Sequence, residues 1–570
     1  MSALGSVASV RGRRRRRWTI GGALLAAMLV LSGCATIPLS GSVQSGNRTD
    51  AEDPLSTVFS PSGPTDGQSA TDIVAGFIAA GTGPQDNYKV ARQYLSRSFA
   101  AQWNPNARVL VHDVATSVLE SEGAVQLVVP AAAEIDETGR YTELPASDPV
   151  ELGFTLVEED GQWRIAQAAD GVVLLRQQFE ALFAQRALYF YDPTYAFLVP
   201  DLRWFPSTAD APTRIVEALL TGPAEPIAKS VQSAFPTGTR LTRQSVSTTA
   251  GVAEVALNDV VAAADTITRQ RMKLQLTSAL VGGQVFTVRV SVDGRGIAIP
   301  DFGEEGPVEQ PLVNQRALVL TDAAFGLQSG EEIASVGPAG DVILALQPRA
   351  VTMTSAFDLA AVLAPDGVHV VRSDGQQQLV DDRANQIAPT LDGQGFVWTI
   401  TSSDPTNLRA IDSSSGAMTP IETTWVDATS VQSIAVSRDS TRLLTLLDVG
   451  GASVLRVYGI IRDSDGAPFT LSDSSYELIL PPGTAVSTTW VDDSTVGTLV
   501  RAGEADYRVV IQDLGGRSTL LPRLTDATTL VGGNGQGGLR ILTASGDLQV
   551  VRGAGWQPVA SGVTLLATQR

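Results

Sequence analysis

The chain opens with a basic segment that is followed by an apolar one. Six arginines between positions 11 and 17 precede an apolar run of 15 residues that ends at Ser32. The run is shorter than the ~20 residues a membrane-spanning helix needs, so the pattern predicts a secretory signal peptide over residues 1–33. The sequence Leu31-Ser32-Gly33-Cys34 resembles a lipobox. It predicts that signal peptidase II recognises Leu31, Ser32 and Gly33, and that Cys34 carries diacylglycerol and an N-acyl group. The arginine run leaves both Sec and twin-arginine export open.

Residues 34–68 lack the periodic apolar positions of a helix or strand. Ser, Gly, Pro, Thr and Asp dominate, so the segment cannot bury enough apolar surface to fold alone. It is predicted to be a flexible tether whose ends lie roughly 30 Å apart.

Residues 69–185 show helical spacing first and strand alternation afterwards. The pattern predicts helices at residues 71–80 and 88–99, the first with an Asp or Thr as N-cap. Alternation predicts four strands, at residues 108–114, 124–130, 150–157 and 163–167. Helices followed by a curved sheet that ends in Gly161-Gln-Trp-Arg-Ile resemble the NTF2-like α+β fold.

Residues 186–305 also combine predicted helices and strands, but here the strands come first. Strands are predicted at residues 187–191 and 195–199, and two more within 239–257. Helices are predicted at residues 213–220 and 268–280, the first entered through Pro212. A hairpin through Asp293-Gly294 is predicted to join strands at 286–292 and 297–299.

Residues 312–570 contain many short apolar strands between Gly and Asp turns, and they show no helical pattern. Five related turns recur, at Gly340, Asp392, Asp439, Asp492 and Asn534, with spacings of 52, 47, 53 and 42 residues. These spacings match the ~40–50-residue period of β-propeller blades. We predict five to seven blades, with residues 317–320 and 563–567 closing the ring. A pair of β-sandwiches is the alternative.

The middle region carries a family resemblance. Leu198-Val-Pro-Asp-Leu-Arg-Trp, Glu217-Ala-Leu-Leu-Thr-Gly-Pro, Phe235-Pro-Thr-Gly-Thr and Val288-Arg-Val-Ser-Val-Asp-Gly look like a GerM (sporulation and spore germination) domain. Together with the lipobox and tether, the order resembles the actinobacterial LpqB lipoprotein family. The resemblance implies two small α+β domains followed by a propeller. It also implies a membrane-anchored accessory protein on the extracytoplasmic face. Its partner would be the extracellular domain of the MtrB sensor kinase, with effects on MtrA signalling and the cell envelope.

The charge limits the kinds of partner. The formal net charge is -19, and removal of the six arginines in residues 1–33 makes it -25. Nucleic-acid binding requires a basic surface, so it is not expected here. Membrane attachment would depend on the acyl chains, because an acidic chain is not attracted to anionic lipid. With one cysteine, no internal disulfide can form.

Candidate catalytic residues are few. His112 and His369 are the only histidines and fall in different predicted domains, and there is no Gly-x-Ser-x-Gly motif. Gly533–Gly538 matches Gly-x-Gly-x-x-Gly in letters, but a dinucleotide site needs a helix after it, whereas a strand is predicted there. The Asp pairs 381–382 and 492–493 are candidates for Ca²⁺ binding, although solvated turns are the simpler interpretation.

The tryptophans of the propeller region, Trp398, Trp425, Trp490 and Trp556, are predicted to pack within blades, with a partner surface as the alternative. We therefore expect no cofactor, no metal and no enzymatic activity. The alternative function is binding or processing of cell-wall glycan.

Overall fold

The computed structural model describes residues 61–121, 124–145, 148–303, 306–330 and 332–570. The predicted signal peptide, the residues Leu31, Ser32 and Gly33, the lipid attachment at Cys34 and most of the tether lie outside these residues. Within the described ranges, no helix is both long and apolar enough to cross a membrane.

The N-terminal domain places helices against two four-stranded sheets. Its helices are α1 (Ala70–Ala80), α2 (Gln85–Arg92), α3 (Arg97–Ala100) and α4 (Arg176–Leu182). Its strands are β1 (Arg108–His112), β2 (Ser117–Ser121), β3 (Ala124–Val129), β4 (Ala131–Asp136), β5 (Tyr141–Glu143), β6 (Val150–Glu159), β7 (Gln162–Gln167) and β8 (Val172–Leu175). The sheets have the orders β2-β3-β6-β7 and β5-β4-β1-β8. Strands β3 and β4 are separated only by Pro130, so one bent segment contributes to both sheets.

Two predictions for this domain were wrong in detail. The N-cap of α1 is Ser69, not an Asp or Thr: its Oγ accepts a hydrogen bond from the amide of Asp72 (3.1 Å), and the Asp72 carboxylate accepts one from the Ser69 amide (3.2 Å). The single helix predicted over residues 88–99 is two helices, because Ser96 caps the start of α3 through the amide of Phe99.

The second domain contains a hairpin, two helices and a four-stranded sheet. The hairpin pairs β9 (Phe183–Tyr191) with β10 (Leu198–Pro206), and the helices are α5 (Ala211–Thr221) and α6 (Thr266–Leu280). The sheet has the order β11-β12-β13-β14. Its strands are β11 (Ser247–Thr249), β12 (Val252–Leu257), β13 (Thr287–Val292) and β14 (Arg295–Gly296). The second strand of the predicted hairpin is β14, which begins two residues before the predicted range of 297–299.

The remaining residues form a six-bladed β-propeller. Blade 1 consists of β15 (Leu318–Leu320), β16 (Phe325–Ser329), β17 (Glu332–Ser335) and the C-terminal β38 (Leu565–Gln569). Blade 2 consists of β18 (Ala350–Met353), β19 (Leu359–Ala364), β20 (Gly367–Arg372) and β21 (Gln377–Asp381). Blade 3 consists of β22 (Thr390–Leu391), β23 (Phe396–Thr401), β24 (Asp404–Asp412) and β25 (Met418–Ile421).

Blades 4 to 6 follow in chain order, each an antiparallel four-stranded sheet. Blade 4 consists of β26 (Ser430–Val436), β27 (Arg442–Val449), β28 (Ala452–Arg462) and β29 (Pro468–Leu478). Blade 5 consists of β30 (Thr484–Trp490), β31 (Thr495–Arg501), β32 (Tyr507–Asp513) and β33 (Ser518–Leu520). Blade 6 consists of β34 (Ala527–Val531), β35 (Arg540–Thr543), β36 (Leu548–Arg552) and β37 (Gly555–Ala560).

The ring closes through the C-terminal strand. Leu318, Val319 and Leu320 pair with Ala567, Leu566 and Leu565, as predicted for residues 317–320 and 563–567. The innermost strands β38, β18, β22, β26, β30 and β34 contact each other in that order around the ring. The predicted fold class, two α+β domains followed by a propeller, is confirmed.

One predicted strand of the propeller is a helix. The segment after Gly337 forms α7 (Pro338–Ala345), which begins with Pro338 in its first turn and buries Ala339 and Ile343. Gly340 is therefore inside a helix that connects blade 1 to blade 2, and it is not a blade turn. The sequence pattern does not reveal α7, because its eight residues are too few to show a clear helical period.

Candidate functional site

The second domain and the propeller share one apolar core, which lies where the second domain meets blades 4 and 5. Leu198, Val199 and Ile227 of the second domain belong to the same buried cluster as residues of the propeller. The propeller members are Leu444, Leu446, Leu455, Val457, Tyr476, Ala485, Trp490, Val496 and Leu514. Apolar burial of this kind stabilises an interface in proportion to its area, so the second domain and the propeller form one body.

Polar contacts from the first two domains converge on the turn between β32 and β33. The carbonyl of Gly515 accepts a hydrogen bond from the indole Nε1 of Trp204 (2.9 Å). Arg517 forms an ion pair with Glu180 (2.6 Å), and the amide of Ser518 donates to the carboxylate of Glu143 (2.8 Å). The N-terminal domain is therefore also fixed to the propeller. We call this contact region the junction.

Charged side chains gather at the turns that follow the innermost strands. The carboxylate of Asp439 and the guanidinium of Arg442 form an ion pair in which both side chains are 1% exposed. Asp439 also accepts hydrogen bonds from the Ser437 and Thr441 hydroxyls, both at 2.6 Å. These hydrogen bonds and Arg442 outweigh the burial that opposes them, and they hold the pKa of Asp439 below its ordinary value.

A second buried pair lies at the blade 3 turn, and the C-terminal residue completes the group. Asp392 and Arg462 pair at 2.7 Å. The guanidinium of Arg570 donates to the Ser437 carbonyl and the Ser440 hydroxyl, while its Nε and one Nη are buried with no partner among the described residues. Burial lowers the pKa of Arg570 to about 10.

The segment that leads into the propeller lies against the same turns. Asn534 exchanges hydrogen bonds with the backbone of Val313 (2.9 and 2.8 Å), and Arg438 donates to the Pro311 carbonyl (3.1 Å). We call the turns of Asp392, Arg438–Asp439, Asp492–Asp493 and Gly533–Asn534, with Arg570, the channel mouth. Sequence reasoning located these turns, but it missed Arg442, Arg462 and Arg570, because nothing local in the sequence shows that they point into the ring.

A cleft separates the N-terminal domain from the second domain. The first chamber of the cleft has a volume of about 570 Å³ and is bounded by the 136–140 turn, by α5 and by Trp204. A second chamber of about 690 Å³ adjoins it and is bounded by residues 84–88 and 206–210. The two chambers share the side chains of Tyr88, Asn106, Pro206 and Arg214. Sequence reasoning did not predict this cleft, because its walls come from two domains.

The sequence-predicted candidates are mostly used in local contacts. His112 Nδ1 lies 2.7 Å from the Val114 carbonyl, and His369 Nε2 lies 2.9 Å from Asp366. The two histidines are in different domains, as predicted. Asp381 pairs with Arg383 at 2.7 Å. Within the described ranges, no group of three or more His, Cys, Asp or Glu side chains is placed to hold a metal ion.

The remaining candidates are structural. Trp398, Trp425 and Trp490 are 0, 1 and 5% exposed, so the partner-surface alternative is wrong for them and blade packing is confirmed. Trp556 is half-buried, and its indole donates to the Pro522 carbonyl (2.9 Å). The segment Gly533–Gly538 connects β34 to β35 and is followed by a strand, as expected for a blade turn.

Asp493 is a channel-mouth carboxylate with a raised pKa. Burial, together with the neighbouring Asp492, raises its pKa to about 6. Tyr189 of the second domain faces it, and burial raises the pKa of that phenol to about 12. Asp493 is therefore close enough to the second domain to interact electrostatically with Tyr189.

The fold defines a class of protein with two α+β domains ahead of a β-propeller, and a lipobox is predicted before them. Family models match along the chain. The N-terminal domain of lipoprotein LpqB matches residues 63–180, the sporulation and spore germination domain matches 187–298, and the lipoprotein LpqB β-propeller matches 327–565. The chain belongs to the LpqB lipoprotein family.

Full-length relatives show the same relationship. Lipoprotein LpqB of Cutibacterium acnes is 25% identical over 95% of this chain and 98% of its own length. Lipoprotein LpqB of Bifidobacterium longum is 26% identical over 96% of this chain and 98% of its own length. Among solved structures, TolB from Acinetobacter baumannii is 15% identical, with a TM-score of 0.32, over 43% of this chain and 63% of TolB.

Proposed function

We propose that this protein is a non-catalytic, lipid-anchored accessory protein of an extracytoplasmic sensor kinase of the MtrB type. It would modulate the signal passed to the MtrA-type response regulator in control of the cell envelope. The observation that carries the proposal is the junction. The junction fixes the N-terminal domain to the propeller, and a shared apolar core fixes the second domain to it, so the three domains present one preformed surface to a partner.

A preformed surface matters because an accessory protein acts through differential affinity. A tenfold shift in the population ratio of two kinase conformers requires tenfold tighter binding to one of them. This is a difference in binding free energy of about 1.4 kcal/mol. A rigid body can supply that difference without losing ordering entropy in each binding event. The predicted lipid at Cys34 would keep the body near the kinase, where the predicted tether raises its effective concentration.

Binding and signalling can be tested together. The mature chain and the full-length kinase would be reconstituted in the same liposomes, and kinase autophosphorylation would be measured with and without the chain. We expect autophosphorylation to change with the lipidated chain and to change less with Cys34→Ala, which loses the predicted anchor. Unchanged autophosphorylation at saturating chain would refute the proposal.

The contacting domain can be located without deleting any domain. Deletion of residues 312–570 would expose the shared core, so its effects would not be specific. A photoreactive amino acid at one exposed apolar position per domain avoids this problem. Leu119, Phe286 and Phe469 are 57, 77 and 45% exposed and lie in the first domain, the second domain and the propeller. A crosslink to the kinase from one position identifies the contact, and the other two positions are its matched controls.

A further inference from the structure

Tyr88 presents a phenol hydroxyl to the cleft between the first two domains. Tyr88 is 4% exposed and lines both chambers. Its phenol makes no hydrogen bond with any described residue, and its ring packs edge-on against Trp103, with centroids 6.1 Å apart. This hydroxyl is available to a ligand, whose hydrogen bond to it would replace one made to water.

The backbone holds Tyr88 in an unfavourable conformation. Asp86, Asn87 and Tyr88 have φ values of 51, 54 and 57°, in the left-handed region that residues with a side chain avoid. Burial raises the pKa of the Tyr88 phenol to about 12. The hydroxyl therefore keeps its proton at neutral pH and can both donate and accept.

The opposite wall offers further unpaired polar groups. Arg214 uses its Nε for Asp210 (2.8 Å), which leaves both Nη groups without a partner among the described residues. Glu217, on the next turn of α5, is exposed, and its carboxylate makes no ion pair or hydrogen bond with described residues. The side-chain amide of Asn106 is also unpaired within that part of the chain. Both donors and acceptors of hydrogen bonds therefore line the cleft.

The charge and shape of the walls narrow the class of ligand. Asp136, Glu137, Glu217 and Glu225 line the first chamber, against Arg140, Arg203 and Arg214, and Arg203 is already paired with Asp201. This excess of carboxylates disfavours an anion, and the guanidinium of Arg214, whose two Nη groups have no partner among the described residues, disfavours a simple cation. Apolar and aromatic surface from Val109, Ile135 and Trp204 completes the walls. A volume of about 570 Å³ falls within the range typical of small-molecule sites at domain interfaces.

We propose that this cleft binds a short, uncharged saccharide whose hydroxyl and amide groups pair with Tyr88, Asn106, Arg214 and Glu217. The sugar rings would pack their apolar faces on Trp204, and the two adjoining chambers accommodate more than one ring. This inference does not depend on the kinase proposal, because it concerns a site within the protein itself.

The test uses the purified mature chain and N,N′,N″-triacetylchitotriose as the probe, with binding measured by calorimetry. We expect saturable binding, and Tyr88→Phe to weaken it about three- to tenfold, as for the loss of one hydrogen bond. Tyr94→Phe is the matched control: it also removes a buried phenol hydroxyl in the same domain, but that hydroxyl donates to the Ser62 carbonyl outside the cleft. Its affinity should equal that of the wild type.

A second variant keeps the test independent of Tyr88. Thr221 is exposed at the end of α5 and lines the first chamber, so Thr221→Trp fills the cleft from outside. We expect it to abolish binding while the thermal unfolding midpoint stays unchanged. The absence of saccharide binding at 10 mM, on the order of the weakest specific affinities, would overturn the proposal. Binding that neither variant affects, or binding of a lysine-containing tripeptide in place of the saccharide, would overturn it equally.

Discussion

The junction depends on a glycine that no other residue can replace without cost. Gly515 has a φ of 98°, and a Cβ built on it would lie 2.6 Å from the carbonyl oxygen of Leu202. The same glycine accepts the indole hydrogen bond of Trp204 through its own carbonyl. Gly515→Ala therefore both strains the backbone and pushes the propeller away from the second domain.

A second glycine separates these two effects. Gly535 has a φ of 88°, and nothing lies within 4 Å of the position of its Cβ. Gly535 has a ψ of -177°, a backbone conformation that essentially only glycine adopts, so Gly535→Ala should lower the free energy of unfolding by this backbone penalty alone, about 1–3 kcal/mol. Gly515→Ala adds a contact with a fixed backbone oxygen, and overpacking of this kind costs a further ~1–3 kcal/mol. We expect a total loss of about 2–5 kcal/mol for Gly515→Ala.

Urea unfolding followed by tryptophan fluorescence measures both variants, and small-angle scattering shows whether the domains separate. We expect the radius of gyration to rise for Gly515→Ala and to remain at the wild-type value for Gly535→Ala. Equal losses of stability in the two variants, with no change in the radius of gyration, would show that the junction does not hold the domains together.

Three further predictions concern the propeller. Asp439→Ala should cost about 3–5 kcal/mol in urea unfolding because it leaves Arg442 buried and unpaired. Asp463→Ala, an exposed turn carboxylate, should cost about 1 kcal/mol or less. Asp493 has a raised pKa, so the stability it contributes below pH 4 should be lost as the pH rises through about 6. Asp493→Asn should therefore flatten the dependence of Tm on pH in this range. Leu566→Ala in the closing strand should cost about 2–5 kcal/mol, and Val559→Ala, 38% exposed on β37, less than about 0.5 kcal/mol.

Periodic patterns predicted most of the fold because they report burial along one element at a time. The ring closure of residues 317–320 with 563–567 was predicted because both segments are short apolar strands at the two ends of a repeating unit. The turns at Asp392, Asp439, Asp492 and Asn534 were found for the same reason. The helix at Pro338 was missed because two turns of helix give too few apolar positions to separate from a strand.

The cleft and the junction could not be predicted in the same way, since their contacts join residues far apart in the chain. Trp204 and Gly515 are separated by 311 positions, and nothing near either residue indicates the other. Tyr88 lies in a segment that the apolar spacing assigned to a helix, whereas its left-handed backbone is local strain that the pattern does not encode.

The arrangement of the channel mouth limits where a partner can bind. The turns of the channel mouth contact the protein's own backbone. Arg438 and Asn534 hold the segment around Pro311 and Val313, and Arg570 donates to the Ser437 carbonyl. Blades 4 and 5 are covered in part by the second domain, through the apolar core that they share with it. The outer strands of the other blades, the outer surfaces of the first two domains and the cleft between them are therefore the surfaces on which recognition of a partner should be sought first.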